Sequence, residues 1–407
     1  MFSLEAGDMA LGELRVLDLA DEKGLYCTKL MADLGADVLR VERPRGDATR
    51  NIGPFLHDQP HPERSLFFAY LNTNKRGITL NLECADGQEV FRRLVKTADI
   101  LVETFPPGYL ARLGLDYPHL REVNPRLILT SITGFGQTGP YRDYKTCDMV
   151  GFAMGGLMYL TGDPKSPPVQ AGGYQVYYTG SMFAAVATLM AVYRRRTTGE
   201  GEHVDVSMQE CVASLLETAT VNYSYNGVVQ KRTGTQHAIA APCRVYPCQD
   251  GYWAVIANAP HMWDALVAWI VEEGIGVEEL TKSEYQFMDA RRANIDQINA
   301  YIAEFGMRHT KAELFAEGQS RRIPVAPAAA ATEVLADPHL HARGYFVDLE
   351  HPVLGILRYP GAPYKLSETY WRILRPAPLV GQHNQEVYQE LGLSQSDLVV
   401  LAGVGAL

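Results

Sequence analysis

Positive charge is scarce in this 407-residue sequence: 37 Lys and Arg stand against 47 Asp and Glu, a formal net charge of -10. That balance excludes a general binder of nucleic acid or anionic membrane, which needs an excess of cations facing phosphates. It leaves room for a local basic pocket that takes a phosphorylated ligand. The six cysteines (Cys27, Cys84, Cys147, Cys211, Cys243 and Cys248) form no CxxC pair. Neither a disulfide framework nor a zinc site is expected, and reduced thiols in a cytoplasmic protein are. His203, His237, His261, His351 and His383 are equally dispersed, so no metal is expected. Apolar runs stop well short of the ~18 residues that a bilayer span needs. Met1–Ala10 is acidic and lacks the apolar centre of a signal peptide. Low-complexity segments and repeats of fixed period are missing too.

What is present is an ordinary globular composition, 47% apolar and 21% charged. At ~150 residues per domain the length predicts two or three domains. Leu14–Leu19 reads as a short buried strand, Leu25–Leu34 as a helix ended by Gly35, and Asp37–Val41 as a second strand. That is a βαβ unit, whose crossover is right-handed. Ile78–Leu82, Ile100–Val102 and Leu127–Ser131 supply further strands, with a helix over Gln88–Lys96. The alternation predicts an α/β fold with a parallel sheet flanked by helices. A long helix is expected from Thr179 to about Arg195, and helical pattern again over Val206–Val221. Strands at Val245–Tyr246 and Tyr252–Ile256, then helices near Met262–Glu273 and Arg291–Phe305, mark a smaller α+β domain. The chain is expected to return to the first domain from Val325, through a linker at Pro324, Pro327 and Ala328–Ala331.

Several blocks, in this order and spacing, carry a resemblance. They include Ala32-Asp33-Leu34-Gly35-Ala36-Asp37-Val38, Val41-Glu42-Arg43-Pro44, Leu71-Asn72-Thr73-Asn74-Lys75-Arg76 and Ala98-Asp99-Ile100-Leu101-Val102-Glu103. Asn124-Pro125-Arg126-Leu127-Ile128, Gly134-Phe135-Gly136-Gln137-Thr138-Gly139-Pro140, Ala336-Asp337-Pro338, Arg343-Gly344-Tyr345-Phe346 and Gly381-Gln382-His383 continue it. Across nearly its whole length the chain resembles the family III CoA-transferases, which include formyl-CoA and carnitine CoA-transferases and the related α-methylacyl-CoA racemase. The resemblance implies a Rossmann-like large domain built from both chain ends, a smaller inserted domain, and two subunits interlocked like chain links. The corresponding boundaries are 1–200 for the first part of the large domain, 201–225 for a linker helix, 226–323 for the small domain and 324–407 for the return. Gly134-x-Gly136-x-x-Gly139 matches a dinucleotide fingerprint, but Pro140 follows where an apolar helix would begin, so it reads as a structural turn.

In the transferases, the tenth residue after the first proline of a Pro-Pro pair is the aspartate that takes the acyl group as a mixed anhydride. Here, after Pro167-Pro168, that position is Tyr177, and its neighbours Val176 and Tyr178 are not acids. A phenol with a pKa near ~10 is a poor substitute for that carboxylate. The nearest acids in sequence are Asp148, Asp163 and Asp205; Asp148 is the candidate surrogate nucleophile, with bracing a helix start as its other role, and Asp205 reads as a cap. Cys147 stands where the racemase branch has its histidine, which disfavours proton shuttling at Cα; it is either a thiol nucleophile or an inert buried cysteine. Asp21-Glu22-Lys23-Gly24-Leu25-Tyr26 departs from the family's Ala-Gly-Pro turn, and Arg232–Ile239 has only Gly234 where formyl-CoA transferases carry a Gly-rich lid. CoA contacts transferred by position fall on Arg43, Leu80, Asn81, Thr104, Phe105, Arg112 and Lys145, with Glu83 and Pro106 replacing more polar or basic residues.

Three readings follow from the resemblance. In the first, this is the nucleophile-free subunit of a heteromeric CoA-transferase whose paralogous partner carries the aspartate. Succinyl-CoA:benzylsuccinate CoA-transferase, of anaerobic aromatic catabolism, resembles that arrangement in being built from two related family III subunits. In the second, it is a homodimeric acyl-CoA isomerase or transferase of altered mechanism. In the third, it is a non-catalytic CoA-binding protein. Coenzyme A or acyl-CoA is the expected ligand in each, with no permanently bound cofactor.

Overall fold

The computed structural model describes residues 9–237 and 240–407. Most of Met1–Ala10 and the last two residues of Arg232–Ile239, both read above, lie outside the described residues. The chain forms two compact units, one of residues 1–157, 171–218 and 341–407, the other of residues 158–170 and 219–340.

The first unit is built on a six-stranded parallel sheet. Its strands are β1 (Arg15–Leu19), β2 (Asp37–Glu42), β3 (Arg76–Thr79), β4 (Ile100–Glu103), β5 (Ile128–Thr133) and β6 (His203–Ser207), in the order β3-β2-β1-β4-β5-β6. β1 pairs with β2 on one side (Val16 opposite Val38) and with β4 on the other (Val16 opposite Ile100). Strand order therefore reverses at β1, which opens a crevice at the carboxyl ends of β1 and β4. β2, β3, β4 and β5 are buried on both faces, as a sheet covered by helices requires. Leu17, Leu39, Ile78, Leu101 and Leu129 pack on one face against Val90, Phe91 and Leu94 of the Ala85–Lys96 helix.

The end of the chain closes the β3 edge. The Tyr388 hydroxyl donates to the Thr79 carbonyl at 2.6 Å, Asn384 holds the Thr79 N–H, and Arg76 reaches Asp37, Glu386 and Glu390. A hairpin of β10 (Phe346–His351) and β11 (Gly355–Pro360) precedes it. Both chain ends thus build the large α/β unit, as the resemblance implies.

Some elements differ from expectation. Val204-Asp205-Val206 lies in β6, the edge strand, and helix resumes only at Met208–Ala213 and Thr218–Asn226. The long helix spans Gln175–Thr198 and so begins four residues before Thr179. Among the described residues it is also the one helix long and apolar enough to cross a membrane, against the expectation that every apolar run falls short; half of that stretch is buried within the protein. A helix covering a sheet needs the same composition.

In the second unit, β7 (Cys243–Cys248), β8 (Gly251–Ile256) and β9 (Val325–Pro327) form an antiparallel sheet over a core of Trp253, Trp263, Trp269 and Phe305. Val325 therefore belongs to this sheet rather than to a returning linker; Pro327 is tolerated because β9 is an edge strand. Residues 158–170 join this unit because Gly234 N–H donates to the Gly162 carbonyl and Arg232 donates to the Tyr159 and Asp163 carbonyls. The helix expected over Arg291–Phe305 is broken at Asn294, into Met288–Ala293 and Ile295–Gly306.

Candidate active site

A cleft of about 630 Å³ opens at the carboxyl ends of β1 to β4, where the strand order reverses. Five of the seven positions transferred from the family line it: Arg43 after β2, Leu80 and Asn81 after β3, Thr104 and Phe105 after β4. Asp21 N–H donates to the Thr104 hydroxyl at 2.8 Å, tying the two strand ends together across the crevice. Asn81 is fixed from behind, its N–H on the Ala406 carbonyl and its side-chain amide on the Gly405 carbonyl. Arg112 is exposed and lies outside the lining, its guanidinium 5.5 Å from the ring of Tyr109, which does line the cleft. Lys145 is exposed and does not line it.

Sequence reasoning missed Arg45, Asp47, Asn51 and Tyr109, which also line the cleft. The missed signal was topological, since the loop after β2 must border a crevice beside β1. Two acids of the lining are already neutralised: Glu42 by Arg50 at 2.6 Å and Asp47 by Arg40 at 2.7 Å. Arg43 and Arg45 have no acid partner among the described residues. Of the other two acids in the lining, Asp21 pairs with Lys23, and Glu83 accepts from the Tyr109 hydroxyl at 3.0 Å and keeps its charge. Two arginines against one unpaired carboxylate leave the cleft a net positive lining in a protein of net negative charge, which suits the phosphates of a CoA thioester.

A second cluster forms where two helices begin. The Gln175–Thr198 helix starts with exposed N–H groups, and the cap comes from another helix: Asp148 Oδ1 accepts from Val176 N at 2.9 Å and Tyr177 N at 3.2 Å. The favour is returned, as Asp148 N donates to the Tyr177 hydroxyl oxygen at 3.0 Å, at the start of the Asp148–Met154 helix. Gly151 permits this approach, because a Cβ there would meet Val176 Cγ1 at 2.7 Å. Tyr177 is 7% exposed and stacks on Tyr174 with ring centroids 5.5 Å apart. Burial, helped by the Glu22 charge, pushes its phenol well above the ordinary range, so no phenolate forms near neutral pH. Cys147 is exposed rather than buried. Asp205 caps no helix: its carboxylate accepts from Gln137 N at 3.0 Å and braces the turn at Gly136 (φ +83°), while Ser207 caps the next helix. The next helix after Gly139 begins only at Asp148, too far on to present its N-terminus at the turn, so the turn is not a pyrophosphate loop.

Glu103 ends β4 beside the cleft wall, facing a smaller cavity of about 200 Å³ with Ser131 and His203. Burial pushes its carboxyl up to about 7 from 4.5, against hydrogen bonds from Ser131 and Phe105 N. The folded state then holds this proton to higher pH than the unfolded chain does. Stability is expected to fall as pH rises from about 4.5 through about 7, by up to roughly 3 kcal/mol from this group. Glu103→Gln keeps an acceptor for Phe105 N and should flatten that part of the profile in denaturant titrations. An unchanged slope would mean that Glu103 ionises freely when folded.

The profile described as CoA-transferase family III matches residues 11–384. The chain is 36% identical over 401 residues, covering 97% of both sequences, to succinyl-CoA:(R)-benzylsuccinate CoA-transferase subunit BbsE of Thauera aromatica. It is 35% identical over 396 residues, 96% of each, to succinyl-CoA–D-citramalate CoA-transferase of Chloroflexus aurantiacus. A crystal structure of a CAIB/BAIF family protein from Brucella suis superposes with a TM-score of 0.84 at 30% identity, covering 94% of this chain and 100% of that one. A cleft at the strand-order reversal, two unpaired arginines in it and a match over nearly the full length lead to one assignment: the chain belongs to CoA-transferase family III.

Proposed function

We propose that this chain is the nucleophile-free subunit of a heteromeric CoA-transferase, which binds the CoA moiety in the cleft while a paralogous subunit supplies the aspartate. The observation that carries this reading is the occupant of the nucleophile position. Tyr177 is buried, uncharged and engaged as an acceptor for Asp148 N. Asp148, the surrogate considered above, has Oδ1 taken by two backbone N–H groups, which favours a capping role over attack on a thioester. The Thauera relative is itself a subunit by name, and two relatives above use succinyl-CoA by name, which supports succinyl-CoA as the acyl donor. An interlocked partner has a face to cover: the Gln175–Thr198 helix exposes Met182, Phe183, Val186, Met190 and Tyr193 along one side.

Arg43 is the first phosphate contact in this reading, with Arg112 at the rim and Lys145 beyond the cleft. Calorimetry with CoA and dephospho-CoA tests it, and Arg43→Ala is expected to weaken CoA binding about 10-fold, the usual worth of one charge-assisted bond. Affinity equal for wild type and variant would remove the cleft as the CoA site. Purification of the tagged chain from its native host, followed by mass spectrometry, is expected to recover a paralogue with aspartate at the position of Tyr177. Recovery of the chain as a homodimer alone would overturn the heteromeric reading.

A further inference from the structure

The loop 43–51 supplies Arg43, Arg45, Asp47 and Asn51 to the cleft. The loop holds part of its own shape, through the Asp47–Thr49 bonds and Gly46 N on the Arg43 carbonyl. The ties that fix it to the rest of the unit come from two guanidinium groups that do not line the cleft, Arg50 of the loop itself and Arg40 of β2. Arg50 clamps Glu42 with two bonds, Nε to Oε2 at 2.6 Å and Nη2 to Oε1 at 2.7 Å, and adds Glu63 and the Pro378 carbonyl. Glu42 in turn accepts from Asp47 N at 3.0 Å. Arg40, 0% exposed on β2, bridges in two directions: Nη1 to Asp18 Oδ1 at 3.2 Å and to the Ala20 carbonyl, Nη2 to Asp47 Oδ2 at 2.7 Å. Asp47 Oδ1 is left to cap the short turn that follows, taking Thr49 N and its hydroxyl at 2.7 Å each. Behind Asp18, buried Lys75 completes the charge balance at 2.9 Å.

The geometry points to Arg40 as a positioning residue for CoA binding: by spanning Asp18 and Asp47 it holds the 43–51 loop in the shape that turns Arg43 into the cleft. The inference rests on the reading of this cleft as the CoA site. Two anchors lie on opposite sides of one planar fork, and only a guanidinium can serve both at once. A lysine retains the buried charge beside Asp18 and releases Asp47. A buried arginine of this kind has an obvious other role, holding the fold together, and the two roles predict different energetics.

The test is a double-mutant cycle on the Kd for CoA, using Arg40→Lys and Arg43→Ala in the assembled protein. Each single variant is expected to weaken binding about 10-fold, and the pair only about 10- to 20-fold, because a loop already displaced gains nothing from Arg43. A pair that weakens binding about 100-fold, the simple product, would overturn the positioning role while leaving the cleft reading intact. No effect of Arg43→Ala alone would remove the cleft reading, and the inference with it. Should Arg40→Lys fold poorly, Asp47→Asn loosens the same link from the loop side and takes its place in the cycle. Hydrogen exchange gives an independent readout: the amides of Asp47 and Thr49 are expected to lose protection in Arg40→Lys while those of β1 and β4 keep theirs. Protection at Asp47 and Thr49 unchanged from wild type would count against the bridge.

Discussion

Purified by itself, the chain is expected to move CoA between succinyl-CoA and carboxylic acids at least ~1000-fold more slowly than the complex with its aspartate-bearing partner. The family's first step needs a carboxylate oxygen that attacks the thioester carbonyl. The C–S bond breaks, CoA leaves as the thiolate, and the acyl group remains as an anhydride on the enzyme. In the proposed reading, neither Tyr177 nor Asp148 supplies that oxygen. The Tyr177 oxygen is buried as an acceptor for a backbone N–H, and its proton is held more tightly than in water. Asp148 Oδ1 is occupied by Val176 N and Tyr177 N, so an attack through it would first uncap the helix. Exchange of labelled succinate into succinyl-CoA, measured for the chain alone, for the partner alone and for the mixture, decides the matter. Turnover by the isolated chain comparable with the mixture would show that it carries its own nucleophile.

Much of the fold was legible because parallel strands write themselves plainly. Leu17, Leu39, Leu101 and Leu129 sit in short apolar runs that admit little besides buried strand, and the intervening helix Ala85–Lys96 has a strongly one-sided apolar face. The failures share a cause: long-range partners supplied what local sequence lacked. The Gln175–Thr198 helix starts early because its cap, Asp148, arrives from another helix. Val204-Asp205-Val206 reads as the entry to a helix until β5 is there to pair with it. Val325–Pro327, between prolines and a run of alanines, looks like linker until β8 offers its edge.

The cleft was legible only in part, and for a related reason. Arg43, Leu80, Asn81, Thr104 and Phe105 were found by position, and they converge because strand order reverses at β1. Arg40 and Arg50 were passed over, since an arginine in or beside a strand reads as a surface charge. Their burial is visible only once Asp18, Glu42 and Asp47 are brought around them.

Restoring the family's carboxylate with Tyr177→Asp is expected to leave the chain inactive, below about 1% of the complex, and to destabilise it by roughly 3 kcal/mol. The new carboxylate would sit at the helix start that Asp148 already caps, and two carboxylates sharing that site repel each other and compete for the same N–H groups. The backbone N–H of Asp148 would lose its acceptor, and Tyr174 its stacking partner. Even where the fold survives, a shorter side chain in a space shaped by a phenol is badly aimed, and ~1 Å of displacement can cost ~100-fold in rate. Tyr177→Phe separates these terms: it keeps the ring and removes only the hydroxyl, for about 1 kcal/mol. Thermal unfolding of both variants measures the structural part. Hydroxylamine trapping after incubation with succinyl-CoA, with mapping of the peptide around residue 177, measures the chemical part. A stoichiometric hydroxamate on the introduced carboxylate, with normal turnover, would mean that the acyl pocket is intact and that the tyrosine is a recent replacement rather than a settled brace between two helix starts.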